Sequence, residues 1–229
     1  MDNVKIIALK ESVLEDNDQD AQALREELRG RGTCLLNLMS SPGSGKTTTL
    51  ISTIRQLQNP DSGAAPLKVG VMEADIDSAV DAQTMQEAGV PAVQLHTGGM
   101  CHLDADMTRQ GVRALGMDDA ELIVLENVGN LVCPAEFDTG AAVNMTILSV
   151  PEGDDKPAKY PLMYKTCDML VVNKIDTLPV FDFDREKMER DARARNPEIE
   201  IFYISAKTGE GVQELADALV AKVKEWNAR

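Results

Sequence analysis

Asn37-Leu38-Met39-Ser40-Ser41-Pro42-Gly43-Ser44-Gly45-Lys46-Thr47-Thr48 reads as the end of a buried strand, a glycine-rich turn and the start of a helix. That order is the context of a phosphate-binding loop. Gly43 and Gly45 let backbone N–H groups curl around a phosphate, and the following helix adds its unsatisfied N–H groups and positive dipole end. Lys46 has the reach to meet β and γ phosphates, and Thr47 offers a hydroxyl to Mg²⁺. Gly43, Ser44, Gly45, Lys46, Thr47 and Thr48 are therefore the candidate phosphate set. The general pattern places glycine at position 40, where this chain has Ser40.

Outward from this loop, apolar β-type runs and amphipathic helical runs alternate. The strand-like runs are Cys34–Met39, Val69–Met72, Leu122–Leu125, Met145–Val150, Met169–Val172 and Ile199–Ile204. Near-continuous apolar strands suit a parallel sheet covered on both faces. Helices are expected at Lys46–Gln58, Ser78–Ala88, Asp104–Leu115, Asp184–Arg195 and Val212–Trp226. The expectation is an α/β P-loop NTPase fold: a doubly wound, mostly parallel sheet with helices on both faces. Asn59–Pro66 and Pro151–Pro161 read as loops, the second interrupting the alternation. Asp18–Arg29 reads as a helix with Ala21, Leu24 and Leu28 on one stripe, ended by Gly30 and Gly32. Residues 1–31 form an N-terminal helical extension and residues 32–229 a G domain.

Asn173-Lys174-Ile175-Asp176 follows the fifth strand-like run. A carboxylate at Asp176 can accept from guanine N1–H and from its exocyclic amine, a donor pair that adenine lacks. Charged hydrogen bonds of this kind contribute roughly 1.5–3 kcal/mol. Lys174 can lay its aliphatic stem on the base, and Asn173 can hold the loop. Ser205-Ala206-Lys207 follows the last strand, where a backbone N–H can meet guanine O6. The nucleotide is thus read as GTP or GDP. Glu126-Asn127-Val128-Gly129 stands where a GTPase carries D-x-x-G: Gly129 presents its N–H to the γ-phosphate and Glu126 takes the Mg²⁺ role. Asp75 is assigned to Mg²⁺ or the attacking water, with Asp77 as the competing choice. With no Gln in an obvious water-orienting position, turnover is expected to be slow.

Gly98-Gly99-Met100-Cys101-His102 and Cys133-Pro134 both follow strand ends, on the edge that carries the nucleotide. Two thiolates and an imidazole suit Zn²⁺ or Ni²⁺. Cys101, His102 and Cys133 leave such a site at least one ligand short, and a two-fold dimer can complete it by sharing ligands. Asp106, four residues after His102, is a further carboxylate in reach on a helix. Cys34 and Cys167, in or beside strands, read as small core residues, and His96, at a strand end, as structural.

The bulk numbers bound the alternatives. A net charge of −15 opposes nucleic acid and anionic membrane surfaces. No apolar run approaches the roughly 20 residues that span a bilayer, and the N-terminal stretch is too short and too soon charged for a signal peptide. The expectation is a cytoplasmic protein with reduced thiols.

Taken together, Asn37–Thr48, Cys101-His102-Leu103, Glu126-Asn127-Val128-Gly129-Asn130-Leu131-Val132-Cys133-Pro134 and Asn173–Asp176 resemble the HypB family, the GTPases of nickel–iron hydrogenase maturation. Ser40 and Glu126 fit that family. The resemblance implies GTP hydrolysis coupled to nickel delivery into the hydrogenase large-subunit precursor. It also implies a homodimer promoted by nucleotide and metal, a HypA-type nickel metallochaperone as partner, and metal ligands Cys101, His102 and Cys133 at the dimer interface. Some members carry Cys-rich or His-rich N-terminal metal motifs; the first 33 residues here contain neither Cys nor His, so those sites are expected to be absent. Three readings compete: a related nickel GTPase serving another metalloenzyme such as urease, a metal-binding scaffold with a vestigial nucleotide site, and a P-loop kinase, which the guanine-selecting Asn173–Asp176 and the lack of an evident acceptor-substrate site oppose. The urease-type family carries Cys-Pro-His, where this chain has Cys133-Pro134-Ala135.

Overall fold

The computed structural model describes residues 9–59, 65–75 and 80–228. Its elements are α1 (Leu9–Arg31), β1 (Cys34–Ser40), α2 (Lys46–Gln58), β2 (Val69–Asp75), α3 (Val80–Glu87), β3 (Ala92–His96), α4 (Ala105–Leu115) and β4 (Leu122–Glu126). There follow β5 (Val143–Ser149), α5 (Lys156–Lys159), α6 (Pro161–Thr166), β6 (Met169–Asn173), α7 (Arg185–Arg193), β7 (Glu200–Tyr203) and α8 (Val212–Ala228). The strands form one sheet in the order β3-β2-β4-β1-β5-β6-β7, and every pairing is parallel. The chain order reverses at β1, flanked by β4 and β5, and in such sheets ligands bind beyond the carboxyl ends at this switch point.

Strand alternation sorts the core. Cys34, Leu36 and Leu38 of β1 pack with Leu50, Ile54 and Leu57 of α2 and Leu215, Leu219 and Val223 of α8. Leu35 faces the other way, toward Leu24 and Leu28 of α1 and Val112 of α4. Met39, on that same face, joins Met163 and Tyr164 of α6 and Met188 of α7. With period-two side chains, both faces of β1 are covered.

Three expectations are corrected. First, α1 is longer than the expected Asp18–Arg29: it runs through Gly30, and the turn comes at Gly32, whose φ of 71° is a left-handed conformation that suits glycine. Second, β3 adds a seventh strand absent from the six apolar runs. It is a half-buried edge strand containing Gln94 and His96, so its apolar signal is weak. Third, 151–161 is not a plain loop: a 3₁₀ turn at Val150–Glu152 and the helices α5 and α6 occupy it. Pro157 and Pro161 sit in the first turns of those helices, where a missing N–H is harmless. The expected doubly wound, mostly parallel sheet is found, with every pairing parallel. Most of the expected Asn59–Pro66 loop, together with 76–79, lies outside the described residues.

The C-terminal half of α1 is built into the domain core. Leu24 and Leu28 are buried, and the Trp226 indole of α8 donates to Thr33 O at 2.9 Å under the Arg29 guanidinium, 4.2 Å from the ring centroid.

Candidate functional site

The turn after β1 is held from below and from the side. Ser40, fully buried, accepts a 2.7 Å hydrogen bond at Oγ from the Ser44 hydroxyl. A glycine at position 40 would leave Ser44 Oγ without that partner. Ser41 Oγ bonds to the Glu152 carboxylate, whose other oxygen accepts from Ser149 N and Oγ at 2.8 and 2.7 Å. Gly45 has φ 95°, and a Cβ there would lie 2.6 Å from Asn173 Nδ2. Only glycine satisfies both conditions.

The guanine-type loop is tied to this turn. Asn173, 2% exposed, donates from Nδ2 to Ser44 O at 3.0 Å. Its Oδ1 accepts from Lys174 N at 2.7 Å and Ala206 N at 3.1 Å. One side chain thus joins the phosphate turn, the loop after β6 and the loop after β7. Lys174, at φ 64°, donates from Nζ to Gly43 O at 2.7 Å. Asp176 is exposed, and its Oδ1 accepts from the buried Ser205 hydroxyl at 2.7 Å, which fixes the carboxylate plane. Lys207 is exposed at the same rim.

Lys46 Nζ stands 3.8 Å from Glu126 Oε1, and Thr47 Oγ1 donates to the same oxygen at 3.5 Å. Register places a second carboxylate beside it: Glu126 of β4 is the partner of Glu73 in β2, and Glu73 is the partner of Gln94 in β3. Glu73 and Glu126 are each 3% exposed. These three side chains, Lys46 and Gly129 line a cavity of about 40 Å³. The Gln94 amide atoms are buried there without a hydrogen-bond partner. Two buried carboxylates and the Thr47 hydroxyl make an oxygen donor set that fits a hard divalent cation, while the Lys46 ammonium balances part of their charge. Glu73 and Gln94 were missed in the sequence because they belong to no motif; their alignment with Glu126 comes only from strand register. Asp75 closes β2 opposite His96; its side chain, and all of Asp77, lie outside the described residues.

Gly129 lies directly on the phosphate turn: a Cβ there would meet Pro42 Cγ at 3.1 Å and Pro42 N at 3.3 Å. The same loop continues to Cys133. Asn130 Oδ1 accepts from Val132 N at 2.7 Å, and its Nδ2 points to Cys133 Sγ at 3.6 Å. The Cys133 thiol hydrogen-bonds with Cys101, which, with burial, raises its pKa above the ordinary thiol value. His102 Nδ1 is 4.0 Å from Cys101 Sγ. The His102 ring is stacked on Phe137, centroids 3.8 Å apart and 14° from parallel. Burial lowers its pKa, favouring the neutral imidazole that metals bind.

The expected trio is therefore brought together, but as a thiol pair with an imidazole laid aside. Among the described residues, no three His, Cys, Asp or Glu side chains close on one point tightly enough to hold a metal. Asp106 does not join them; it accepts from Gln110 Nε2 at 2.8 Å along α4. Cys34 and Cys167 are buried core residues, as expected, and burial pushes the Cys34 thiol up to about 12.

Residues 35–203 match the model of the CobW/HypB/UreG nucleotide-binding domain. The hydrogenase maturation factor HypB of Escherichia coli is 42% identical over 214 residues, which are 93% of this chain and 72% of that one. The chain belongs to the HypB family. A Helicobacter hepaticus member, described as a hydrogenase/urease maturation factor HypB, is 38% identical, with 96% of this chain and 89% of that one covered. The crystal structure of HypB from Helicobacter pylori in complex with nickel superposes with a TM-score of 0.85 at 36% identity, covering 92% of this chain and 96% of that chain. With the all-parallel sheet, HypB relationship and nucleotide-binding domain, the fold is that of a P-loop NTPase. Among the described residues, no helix is long and apolar enough to cross a membrane.

Proposed function

We propose that this chain binds GTP and Mg²⁺ at the turn after β1, hydrolyses GTP to GDP and phosphate, and uses that hydrolysis to time nickel delivery into a hydrogenase large-subunit precursor. The observation that carries the reading is one continuous loop. At Gly129 it lies against Pro42 of the phosphate turn, and through Asn130, whose Nδ2 is 3.6 Å from Cys133 Sγ, it runs on to the free thiol that neighbours Cys101. A shift of that loop when the γ-phosphate leaves would reach the thiol pair, a switch of the loop-shift kind.

Asp176, oriented by Ser205, reads the guanine edge; Lys174 packs beside the base; Ala206 and Lys207 close the rim. Gly43, Ser44, Gly45 and Thr48 cradle the phosphates with backbone N–H groups. Lys46 neutralises β and γ oxygens, moving away from its partner Glu126. Thr47, Glu126 and Glu73 would hold Mg²⁺, directly or through water, with Asp75 as a further candidate, and Mg²⁺ held there would offset the negative charge that develops on the phosphates. Water attacks the γ-phosphorus as the bond to the β–γ bridging oxygen breaks, and the water proton ends on the released phosphate. Gln94 stands at the far wall of the cavity with an unengaged amide, suited to orienting that water.

Nickel, or zinc in its place, is cargo for Cys101, His102 and Cys133. One chain offers these three without a closed site, so a homodimer supplies the rest across a two-fold axis. Met100 and Val132, 40% and 52% exposed, flank the two cysteines as apolar surface for that contact. The acidic chain would act in the cytoplasm with a HypA-type nickel donor. The relative described as serving both hydrogenase and urease favours a second destination, a urease precursor, through the same site.

Phosphate release measured beside nickel binding tests the reading. The parent should release phosphate only with Mg²⁺, Lys46→Ala should lose release but keep nickel, and Cys101→Ala the reverse. A parent that binds guanine nucleotide but releases no phosphate would overturn it.

A further inference from the structure

Asn17 is buried, 8% exposed, on a stretch of α1 whose neighbours Asp16 and Asp18 are exposed. It sits one helical turn before Ala21, on the stripe that Leu24 and Leu28 continue, so an amide occupies a position on the helix's buried face. A polar group there is costly unless it is fully bonded. Both ends are bonded, and to two different loops. Nδ2 donates to Asp138 O at 2.9 Å, and Oδ1 accepts from Ala105 N at 2.9 Å.

Those two loops carry the candidate metal ligands. Ala105 follows His102 by three residues and opens α4, where its N–H is one of the four that a helix cannot satisfy itself. Asp138 adjoins Phe137, the residue on which the His102 ring lies, and follows Cys133 in the same segment. Arg25, two turns further along α1, adds a second grip: it pairs with the Asp138 carboxylate, and its Nε donates to Ala141 O at 3.0 Å. Gly140 lets this segment lie against the helix, since a Cβ there would meet Leu24 Cδ2 at 2.9 Å.

We infer that α1 is a strap for the metal pair, and that Asn17 is a positioning residue which fixes the Cys101–His102 loop against the Cys133–Phe137 loop. The inference rests on the proposed metal role of those three residues. Groups hydrogen-bonded directly to metal ligands typically change affinity by about 10- to 100-fold, and Asn17, which holds the backbone beside the ligands, belongs at the low end of that range.

The test uses the full chain, with nickel affinity read by competition against a chromophoric chelator, GDP affinity, and melting temperature. Asn17→Ala should weaken nickel binding about 10-fold or more while GDP affinity stays at the parental value. Leu28→Ala is the comparison: it opens a cavity under the same helix, about 16 Å from Asn17 along the axis, and should melt at least as early yet keep parental nickel affinity. Parental nickel affinity in folded Asn17→Ala would overturn the strap, as would an equal loss in Leu28→Ala. A parent chain whose nickel binding is no better than that of Cys101→Ser would overturn the metal reading itself, and the strap with it.

Discussion

Gly43 and Gly45 both have positive φ, 78° and 95°, in the same turn, yet alanine should affect them unequally. At Gly43 a Cβ meets nothing within 4 Å, so Gly43→Ala carries only the left-handed backbone cost, about 1–2 kcal/mol. At Gly45 a Cβ lies 2.6 Å from Asn173 Nδ2. The Asn173 amide must move, which breaks its bond to Ser44 O and misaligns those from Lys174 N and Ala206 N. At about 1 kcal/mol per bond, Gly45→Ala should cost about 2 kcal/mol more than Gly43→Ala. Urea denaturation without nucleotide reads that gap directly, and thermal melting should show it as about 4–8 °C. GDP affinity should fall further in Gly45→Ala by about 25-fold if the same bonds pre-form the site. Equal stability of the two variants would refute the claim that Asn173 joins the phosphate turn to the guanine loop.

Asp176→Asn should weaken GDP about 10- to 100-fold, from the loss of charged hydrogen bonds, with little change in melting because Asp176 is exposed; unchanged GDP affinity in titration would remove it from base recognition. Gln94→Ala should slow single-turnover phosphate release while leaving GDP affinity as it was, and a parental rate would free the amide of any part in positioning water. A disulfide reagent near pH 8 should modify two thiols per folded chain, Cys101 ahead of Cys133, because hydrogen bonding and burial raise Cys133. Cys34 and Cys167 should react only on unfolding, since burial raises both; four fast thiols would contradict the buried placement.

What could be read in the sequence was what is contiguous. The phosphate turn, Asn173–Asp176 and Ser205–Lys207 are each a short string whose geometry follows from neighbours in the chain. The central strands were legible because burial on both faces makes them unbroken apolar runs. β3 was not, because at the sheet edge its five residues are half-buried or exposed. α5 and α6 were hidden by their brevity and by prolines that normally signal a loop. Glu73 and Gln94 acquire meaning only when register sets them beside Glu126. Asn17 carries no local signal, since only the docking of α1 sets it between two distant loops. The Cys-His-Cys trio was legible as ligand types, but the stacking of His102 on Phe137 is a tertiary contact with no local signal.

The central claim is that the γ-phosphate and the thiol pair communicate through the loop from Gly129 to Cys133. Its most direct test is nickel affinity, measured on one preparation of the full chain with Mg²⁺ and GDP, then with Mg²⁺ and a non-hydrolysable GTP analogue. The account predicts different affinities in the two states, with the difference abolished in Lys46→Ala. Equal affinities, with both nucleotides shown to be bound, would contradict it.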